Sequence, residues 1–228
     1  MGTSGSYSAP TTGGWPAAKR TATRFAKQGG AGSITPGQVV GAYLTALGGA
    51  AAAARRVAAS RAAAQRLGGF LGTVADQGLD VALEQVGLAD LVGRDATEVL
   101  EALVDRLASP GGTLEEADAR AAMMRALEEV LEQPNAFDGL DQEGVGRTVE
   151  GFIVECIYER MLQEIGDRLE NGAMTAEDAK KAEDDIRVYV LATVQLELAR
   201  EESLIVWDGP EGEALVNRLM EDAYGQLE

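Results

Sequence analysis

The sequence predicts an all-α protein, a multi-helix bundle with a flexible Gly/Ser-rich N-terminal arm. Aromatic residues make up only 5% of the 228 residues, while Ala, Leu, Val and Glu dominate. Small and unbranched side chains lose little entropy in a helix, so this composition favours helices. Apolar residues in the second half of the chain also recur at the helical period. A hydrophobic content of 46% is enough to build a core.

The charges are divided unevenly along the chain. Residues 1–75 contain eight basic residues and no acidic ones, whereas residues 76–228 contain all 37 acidic residues and the other 12 basic ones. A net charge of −17 makes most of the surface repel DNA and anionic lipid. Composition therefore suggests a flexible basic arm (1–34), an Ala/Gly-rich helical region (35–110) and an acidic helical bundle (111–228).

The N-terminal arm is rich in Gly, Ser, Thr, Ala and Pro, and its bulky side chains are Tyr7, Trp15 and Phe25. Such a segment buries too little apolar surface to offset the entropy of ordering it, so we expect it to be flexible. Trp15 and the basic run KRTATRFAK at 19–27 could fold onto a partner. The alternative is that Trp15 or Phe25 docks on the body of this protein itself.

Capping signals mark the first predicted helix of the body. Thr35 is a predicted N-cap and Pro36 a predicted first helical residue, with the helix ending near Leu47. The Gly-Gly pair that follows ends this helix, and an Ala-rich second helix is expected over 50–67. The uncharged stretch 39–54 is too short and too weakly hydrophobic to span a bilayer.

Three glycines follow the Ala-rich helix. Gly68, Gly69 and Gly72 predict a flexible joint before a further helix at about 79–86. No phosphate-binding P-loop pattern includes them, so a break between helices is the preferred interpretation.

Two capping boxes follow. Asp95 with Glu98 opens a helix that ends near Leu107, and Thr113 with Glu116 opens the next one. The residues of this second helix that are expected to face the core are Leu114, Ala117, Ala121, Met124, Leu127 and Leu131.

A long helix is predicted over 147–170, between a loop at 135–146 and a stop at Asn171-Gly172. Its apolar face comprises Val149, Phe152, Ile153, Cys156, Ile157, Met161, Ile165 and Leu169.

The next helix begins at a cap formed by Thr175 and Asp178. Its second half, 186–199, is apolar nearly all round and predicts a buried central helix, although its β-branched residues also permit a strand. A short connector anchored by Trp207 leads to a last amphipathic helix at 210–224.

The residues that usually carry chemistry are scarce. The chain contains no histidine, which removes the commonest general base, the usual metal ligand and every Ser-His or Cys-His pair. Cys156 lies on an apolar face beside Glu155 and Glu159, surroundings that raise the pKa of a thiol. The acidic clusters lack the pattern of a calcium loop. We expect no enzymatic activity, no metal and no cofactor, and the single cysteine and lack of a secretory signal predict a cytoplasmic protein.

The N-terminus itself could react. A small residue at Gly2 favours removal of Met1, which leaves an α-amine whose ordinary pKa of about 8 makes a fraction of it nucleophilic at neutral pH. The alternative is that Gly2 is only a tolerated tail residue.

The N-terminal half carries a resemblance to a known family. MGTSGSYS at the start, Trp15, TRFAKQGG (23–30), TPGQVVGAYLTALGG (35–49) and LGGFL (67–71) together resemble QatB, a component of the bacterial Qat anti-phage defence system. The resemblance spans about the first 110 residues. It implies three partners, a P-loop ATPase, a protein similar to cyano-deazaguanine synthase and a TatD-like nuclease, and it assigns this chain no catalytic role.

The deazaguanine-synthase-like partner suggests that Gly2 accepts a deazaguanine-type group as an amide, while the helical body acts as a scaffold. The residues expected to contact a partner are Thr3, Ser4, Tyr7, Trp15, Lys19, Arg20, Arg24 and Phe25.

Two other functions stay open. In the first, the protein is a nucleic-acid-binding adaptor whose basic residues at 19–27 and 55–66 contact phosphates while the acidic body recruits a nuclease or an ATPase. In the second, the acidic body mimics DNA and inhibits an enzyme.

Overall fold

A computed structural model of the protein describes residues 14–29, 32–108, 112–133, 136–194, 206–207 and 209–228. Within these ranges every regular element is helical, which confirms the predicted all-α class. The helices are α1 Trp15–Lys27, α2 Pro36–Leu47, α3 Ala50–Ala54, α4 Ala58–Gln77, α5 Leu79–Gln85, α6 Ala96–Leu107, α7 Leu114–Glu132, α8 Gln142–Gly172, α9 Ala176–Thr193 and α10 Gly209–Leu227, with 3₁₀ turns at Ala89–Leu91 and Ala136–Gly139.

The 31-residue helix α8 occupies the centre of the bundle. Helices α1, α4, α7, α9 and α10 all pack against it. The apolar face predicted for this helix is confirmed, since all eight of its residues are buried. The helix begins earlier than expected, because the Asp141 side chain accepts a hydrogen bond from the Gly144 backbone N–H at 2.7 Å and caps it. The predicted loop at 135–146 is therefore wrong for residues 142–146.

Helix α9 is amphipathic and lies at the side of the bundle. Ile186 and Val190 are buried, but the side chains of Val188 and Leu191 are exposed. The prediction of a buried central helix is thus wrong for this part, because α8 already fills the centre and covers only one face of α9. Residues 195–199 of the predicted segment lie outside the described residues.

Helix α7 turns a different face to the core from the one predicted. Leu127 is buried as expected, but Leu114 is 58% exposed and Ala117 is also exposed. The reason is that α7 packs on α8 through small residues, which permit a close helix-helix contact, and carries one polar residue inward. Its buried face comprises Asp118, Ala119, Ala122, Met123, Ala126, Leu127 and Val130.

The N-terminal part of the body confirms one predicted boundary and corrects another. The Thr35 side chain and Gln38 form a capping box at the start of α2, which ends at Leu47 as predicted. The expected helix over 50–67 is instead divided after Ala54, and the expected joint at the three glycines is wrong because all three lie inside α4.

Trp207 explains why two of these helical positions are occupied by glycine. A Cβ atom added at Gly68 would lie 2.2 Å from the ring atom Cδ2 of Trp207, and one added at Gly72 would lie 3.3 Å from Cδ1. The two glycines are four residues apart, so they share one side of α4 and form a flat seat for the indole ring. Trp207 is buried there, which confirms its predicted role as an anchor, and α10 then packs on α3 and α4.

One hydrophobic cluster joins the two halves of the body. It includes Leu67 and Phe70 of α4, Ile153 of α8 and Tyr224 of α10. Residues on both sides of the compositional boundary at 110 therefore share a core. Among the helices that the structure describes, none is both long enough and apolar enough to cross a membrane.

Gly68→Ala is expected to lower the free energy of unfolding by about 1–3 kcal/mol, because the new methyl group overlaps the indole ring of Trp207. Intrinsic helix propensity alone predicts the opposite sign, a gain of about 1 kcal/mol. Urea denaturation measures the difference. The matched control is Gly41→Ala in α2, where a Cβ has open space, and this variant should be as stable as the wild type or more so. An equal increase in the free energy of unfolding for both variants would contradict the proposed seat for the Trp207 ring.

Candidate functional site

The structure places the predicted site residues in two groups. Outside the described residues lie Gly2, Thr3, Ser4 and Tyr7. On helix α1 lie Trp15, Lys19, Arg20, Arg24 and Phe25. The geometry of the candidate site is therefore the geometry of α1, the helix from which the N-terminal residues extend.

Helix α1 is packed into the body. Phe25 is 1% exposed and lies in the main hydrophobic cluster, and the Trp15 ring meets the Tyr43 ring edge-on with centroids 6.0 Å apart. The flexible-arm prediction is thus wrong for residues 15–27, and the alternative, in which Trp15 and Phe25 dock on this protein's own body, is confirmed. The overlooked signal is Pro16, which favours the first turn of a helix.

Two backbone contacts hold the ends of α1. A Cβ added at Gly14 would lie 2.8 Å from the Cα of Ala46 in α2, and one added at Gly172 would lie 2.6 Å from the backbone oxygen of Thr23. Only a glycine permits such close approach at either position. The point at which residues 1–13 join the body is therefore fixed beside the last turn of α2.

The outer side of α1 is basic. Arg20, Arg24 and Lys27 are exposed and recur at helical spacing. The Lys19 ammonium lies 6.0 Å from the centroid of the Trp15 ring, at the outer limit of a cation-π contact. Among the described residues, no carboxylate forms an ion pair with these four bases. They present a positive surface next to the N-terminal attachment point.

The bases at 55–66 belong to a different surface. Arg55 and Arg56 lie in the short segment between α3 and α4, and Arg61 and Arg66 lie on α4. Helix α4 packs against α10, whereas α1 packs against α8, α2 and α9. Arg66 also donates a hydrogen bond from Nε to the Leu107 carbonyl. The basic residues of the N-terminal third are therefore not collected on one helix.

A second polar feature lies between α7, α8 and α9, in a groove of about 540 Å³. Glu155 of α8 is buried and accepts hydrogen bonds from Arg187 Nε at 2.8 Å and from Arg125 Nη1 at 3.3 Å. Arg125 also contacts Glu159 at 2.8 Å. Desolvation raises the pKa of Glu159, and Arg125 opposes that shift. The two arginines neutralise the buried carboxylates, which makes this cluster a structural clamp.

Asp118 is the most deeply buried carboxyl group among the described residues. It is 2% exposed, and its Oδ2 lies 3.6 Å from Arg160, which also contacts Glu164 at 3.1 Å. Desolvation raises the pKa of Asp118 to about 6, although Arg160 acts in the opposite direction. Sequence reasoning missed this residue, because one acid within the α7 pattern looks like an ordinary surface charge.

Cys156 has the environment predicted for it. The side chain is buried in α8, and burial strongly raises the pKa of the thiol above its ordinary value. A thiol in this state is protonated at neutral pH and is a poor nucleophile. Within the described ranges, no group of three or more acidic or cysteine side chains is arranged to hold a metal ion.

The comparison with protein families decides the identity. The family model for QatB, described as Qat anti-phage system associated protein, matches residues 48–227. The chain belongs to the QatB family. This QatB protein is accordingly a component of an anti-phage defence system. Neither a curated protein nor a solved structure was found to match it.

The family match and the resemblance overlap over about residues 48–110 but extend in opposite directions along this QatB protein. The match begins at the end of α2 and continues through α10, so it includes the acidic bundle. The resemblance was read from about the first 110 residues, and α1 lies outside the matched region. The family assignment therefore stands on the helical body, independently of the N-terminal residues.

The docking of α1 can be tested at Gly172. Gly172→Ala is expected to displace α1, because its Cβ would overlap the backbone of Thr23, and trypsin should then cleave faster after Arg20, Arg24 and Lys27. Gly166→Ala on the same helix is the control, since its Cβ would meet nothing closer than 3.9 Å. Peptide mapping over a digestion time course gives the rates. Unchanged cleavage within α1 in the Gly172 variant would show that this contact does not hold the helix.

Asp118 predicts a pH-dependent stability. The folded-state pKa of about 6 lies above the ordinary value of 3.8. At pH values between these two, the folded protein therefore binds more protons than the unfolded protein does. The contribution of Asp118 to stability should therefore fall as the pH rises through that window, by about 3 kcal/mol at most. Urea denaturation of the wild type and Asp118→Asn at several pH values measures it, with Asp222→Asn on the exposed side of α10 as the charge control. If the unfolding free energies of the wild type and Asp118→Asn change in parallel with pH, the raised pKa of Asp118 is refuted.

Proposed function

We propose that this QatB protein accepts a deazaguanine-type group on the α-amine of Gly2, and that its helical body is the scaffold presenting that amine to a partner enzyme. The observation that supports this proposal is the anchoring of α1 at Gly14 and Gly172. It fixes the place on the body from which the N-terminal residues extend.

Chain length sets the distance over which the amine can act. Gly2 lies twelve residue steps before Gly14, and a fully extended chain of that length spans at most about 40 Å. This is enough to enter the active site of an enzyme bound beside α1.

The proposed transfer forms one amide bond. A carboxylate on the deazaguanine is first activated with ATP by the deazaguanine-synthase-like partner. The lone pair of the unprotonated Gly2 amine then attacks the carbonyl carbon, the bond from that carbon to the ATP-derived leaving group breaks, and the amine proton passes to solvent or to a base of the partner. The mass of this protein increases by that of the acid less one water.

The basic side of α1 is the proposed docking surface for that partner. Arg20, Arg24 and Lys27 are exposed, and Lys19 and Trp15 lie at the end of the helix nearest the N-terminal residues. Phe25 is excluded from such a contact because it is buried in the core. The P-loop ATPase and the TatD-like nuclease are proposed as further partners of the same complex.

The intact mass of this protein, made with and without the deazaguanine-synthase-like protein, tests the proposal. We expect a deazaguanine-sized increment only in the coexpressed sample, located on Gly2 by peptide fragmentation. Gly2→Pro should abolish the increment, because proline replaces the primary amine with a hindered secondary amine, whereas Gly5→Ala should retain it. An unmodified N-terminus beside an active partner would refute the acceptor role.

A nucleic-acid adaptor is the second candidate, favoured by the exposed Arg20, Arg24 and Lys27 on one side of α1. In that case DNA binding should weaken steeply with salt and be lost when the three bases become Ala. Modification of Gly2 without any DNA binding would support the acceptor role and contradict the adaptor role.

A further inference from the structure

A pocket of about 370 Å³ lies between α4, α5 and α6, away from α1 and from the central carboxylate clamp. None of the described residues that line it is acidic, although the chain has 37 acidic residues. The lining residues that matter here are Arg66, Phe70, Thr73, Gln85, Val86 and Arg106, and we call this the two-arginine pocket.

Both guanidinium groups of the two-arginine pocket are held in place by backbone carbonyls. Arg66 donates from Nε to the Leu107 oxygen at 2.5 Å, and Arg106 donates from Nε to the Val86 oxygen at 2.6 Å. These carbonyls lie at the C-terminal ends of α6 and α5, where basic side chains commonly cap helices. Each cap uses only the Nε–H, so the two terminal amino groups of each arginine remain as donors.

The charge of these arginines is not balanced within the described residues. Neither Arg66 nor Arg106 forms an ion pair there, whereas Arg125, Arg160 and Arg187 all do. Partial burial lowers the pKa of Arg66 from its ordinary value. Both arginine residues are exposed to solvent, and both line the same pocket.

The rest of the wall is suited to an organic ligand. The Thr73 hydroxyl donates a hydrogen bond to the Gly69 carbonyl at 3.0 Å, and the Gln85 acceptor Oε1 lies 3.4 Å from the same hydroxyl oxygen. The Phe70 ring is packed edge-on against Phe137 and is thereby held in place, and Val86 adds a second apolar side chain. Cations and polar groups thus occur together with apolar surface.

We propose that the two-arginine pocket binds a small phosphate monoester. The dianionic phosphate matches two fixed guanidinium groups, whose planar donor arrangement suits phosphate oxygens. The organic part of the ligand packs against Phe70 and Val86. The volume lies within the range of small-molecule sites. This site is independent of Gly2, so its existence neither requires nor supports the acceptor role.

The pocket is tested by calorimetric titration of the full chain with phenyl phosphate and with inorganic phosphate. We expect the wild type to bind phenyl phosphate more tightly, because inorganic phosphate lacks the apolar contact. Arg66→Gln and Arg106→Gln should each weaken phenyl phosphate binding by about tenfold or more, since each removes charge-assisted hydrogen bonds. The control is Arg218→Gln on the exposed side of α10, which should bind as the wild type does.

Three results would overturn the proposal. They are no binding of phenyl phosphate at millimolar concentration, equal binding by the glutamine variants, and equal weakening by the Arg218 control. Because loss of a helix cap could unfold a variant, amide shift changes in the wild type on adding phenyl phosphate provide a second measurement. Changes centred on Gly69, Thr73 and Gln85 support the pocket, and changes elsewhere or none at all contradict it.

Discussion

The burial of Glu155 in the central helix is the constraint on which the arrangement of the outer helices depends. A carboxylate in that position is costly unless it is paired, and the partners come from two different helices, Arg125 from α7 and Arg187 from α9. Both arginines must reach the same carboxylate, so α7 and α9 are held in register on α8. The apolar residues of α8 provide the driving force for packing, and this clamp selects one arrangement among those that would bury them.

Glycine determines how closely the remaining elements approach. Gly172 lets α1 lie against the end of α8, Gly14 lets it touch α2, and Gly68 forms the seat in which Trp207 holds α10. In each case the absence of a side chain permits the contact, with a backbone segment at Gly14 and Gly172 and with the indole ring of Trp207 at Gly68. The N-terminal helix and the C-terminal helix are thereby both attached to the same central body.

This architecture suits a protein that presents groups to others. Membership of the QatB family makes it part of an anti-phage system. Cys156 is buried and protonated, and the chain has no histidine. Among the described residues, the basic side of α1 and the two-arginine pocket are open to solvent. Interaction and ligand binding are the roles proposed for these surfaces, with the chemistry supplied by partner enzymes.

The sequence by itself determined the helical class, the caps at Thr35, Thr113 and Thr175, and the buried face of α8, because caps and periodicity depend on residues within one turn or one helix. It could not determine that α1 is packed, that Gly68 lies inside a helix, or which face of α7 is buried. Each of these outcomes depends on a partner far away in the chain, such as Gly172 for α1 and Trp207 for Gly68. The contacts around Asp118 and the two-arginine pocket likewise combine residues from separate helices. Only the tertiary structure decided them, since no local pattern encodes which helices meet.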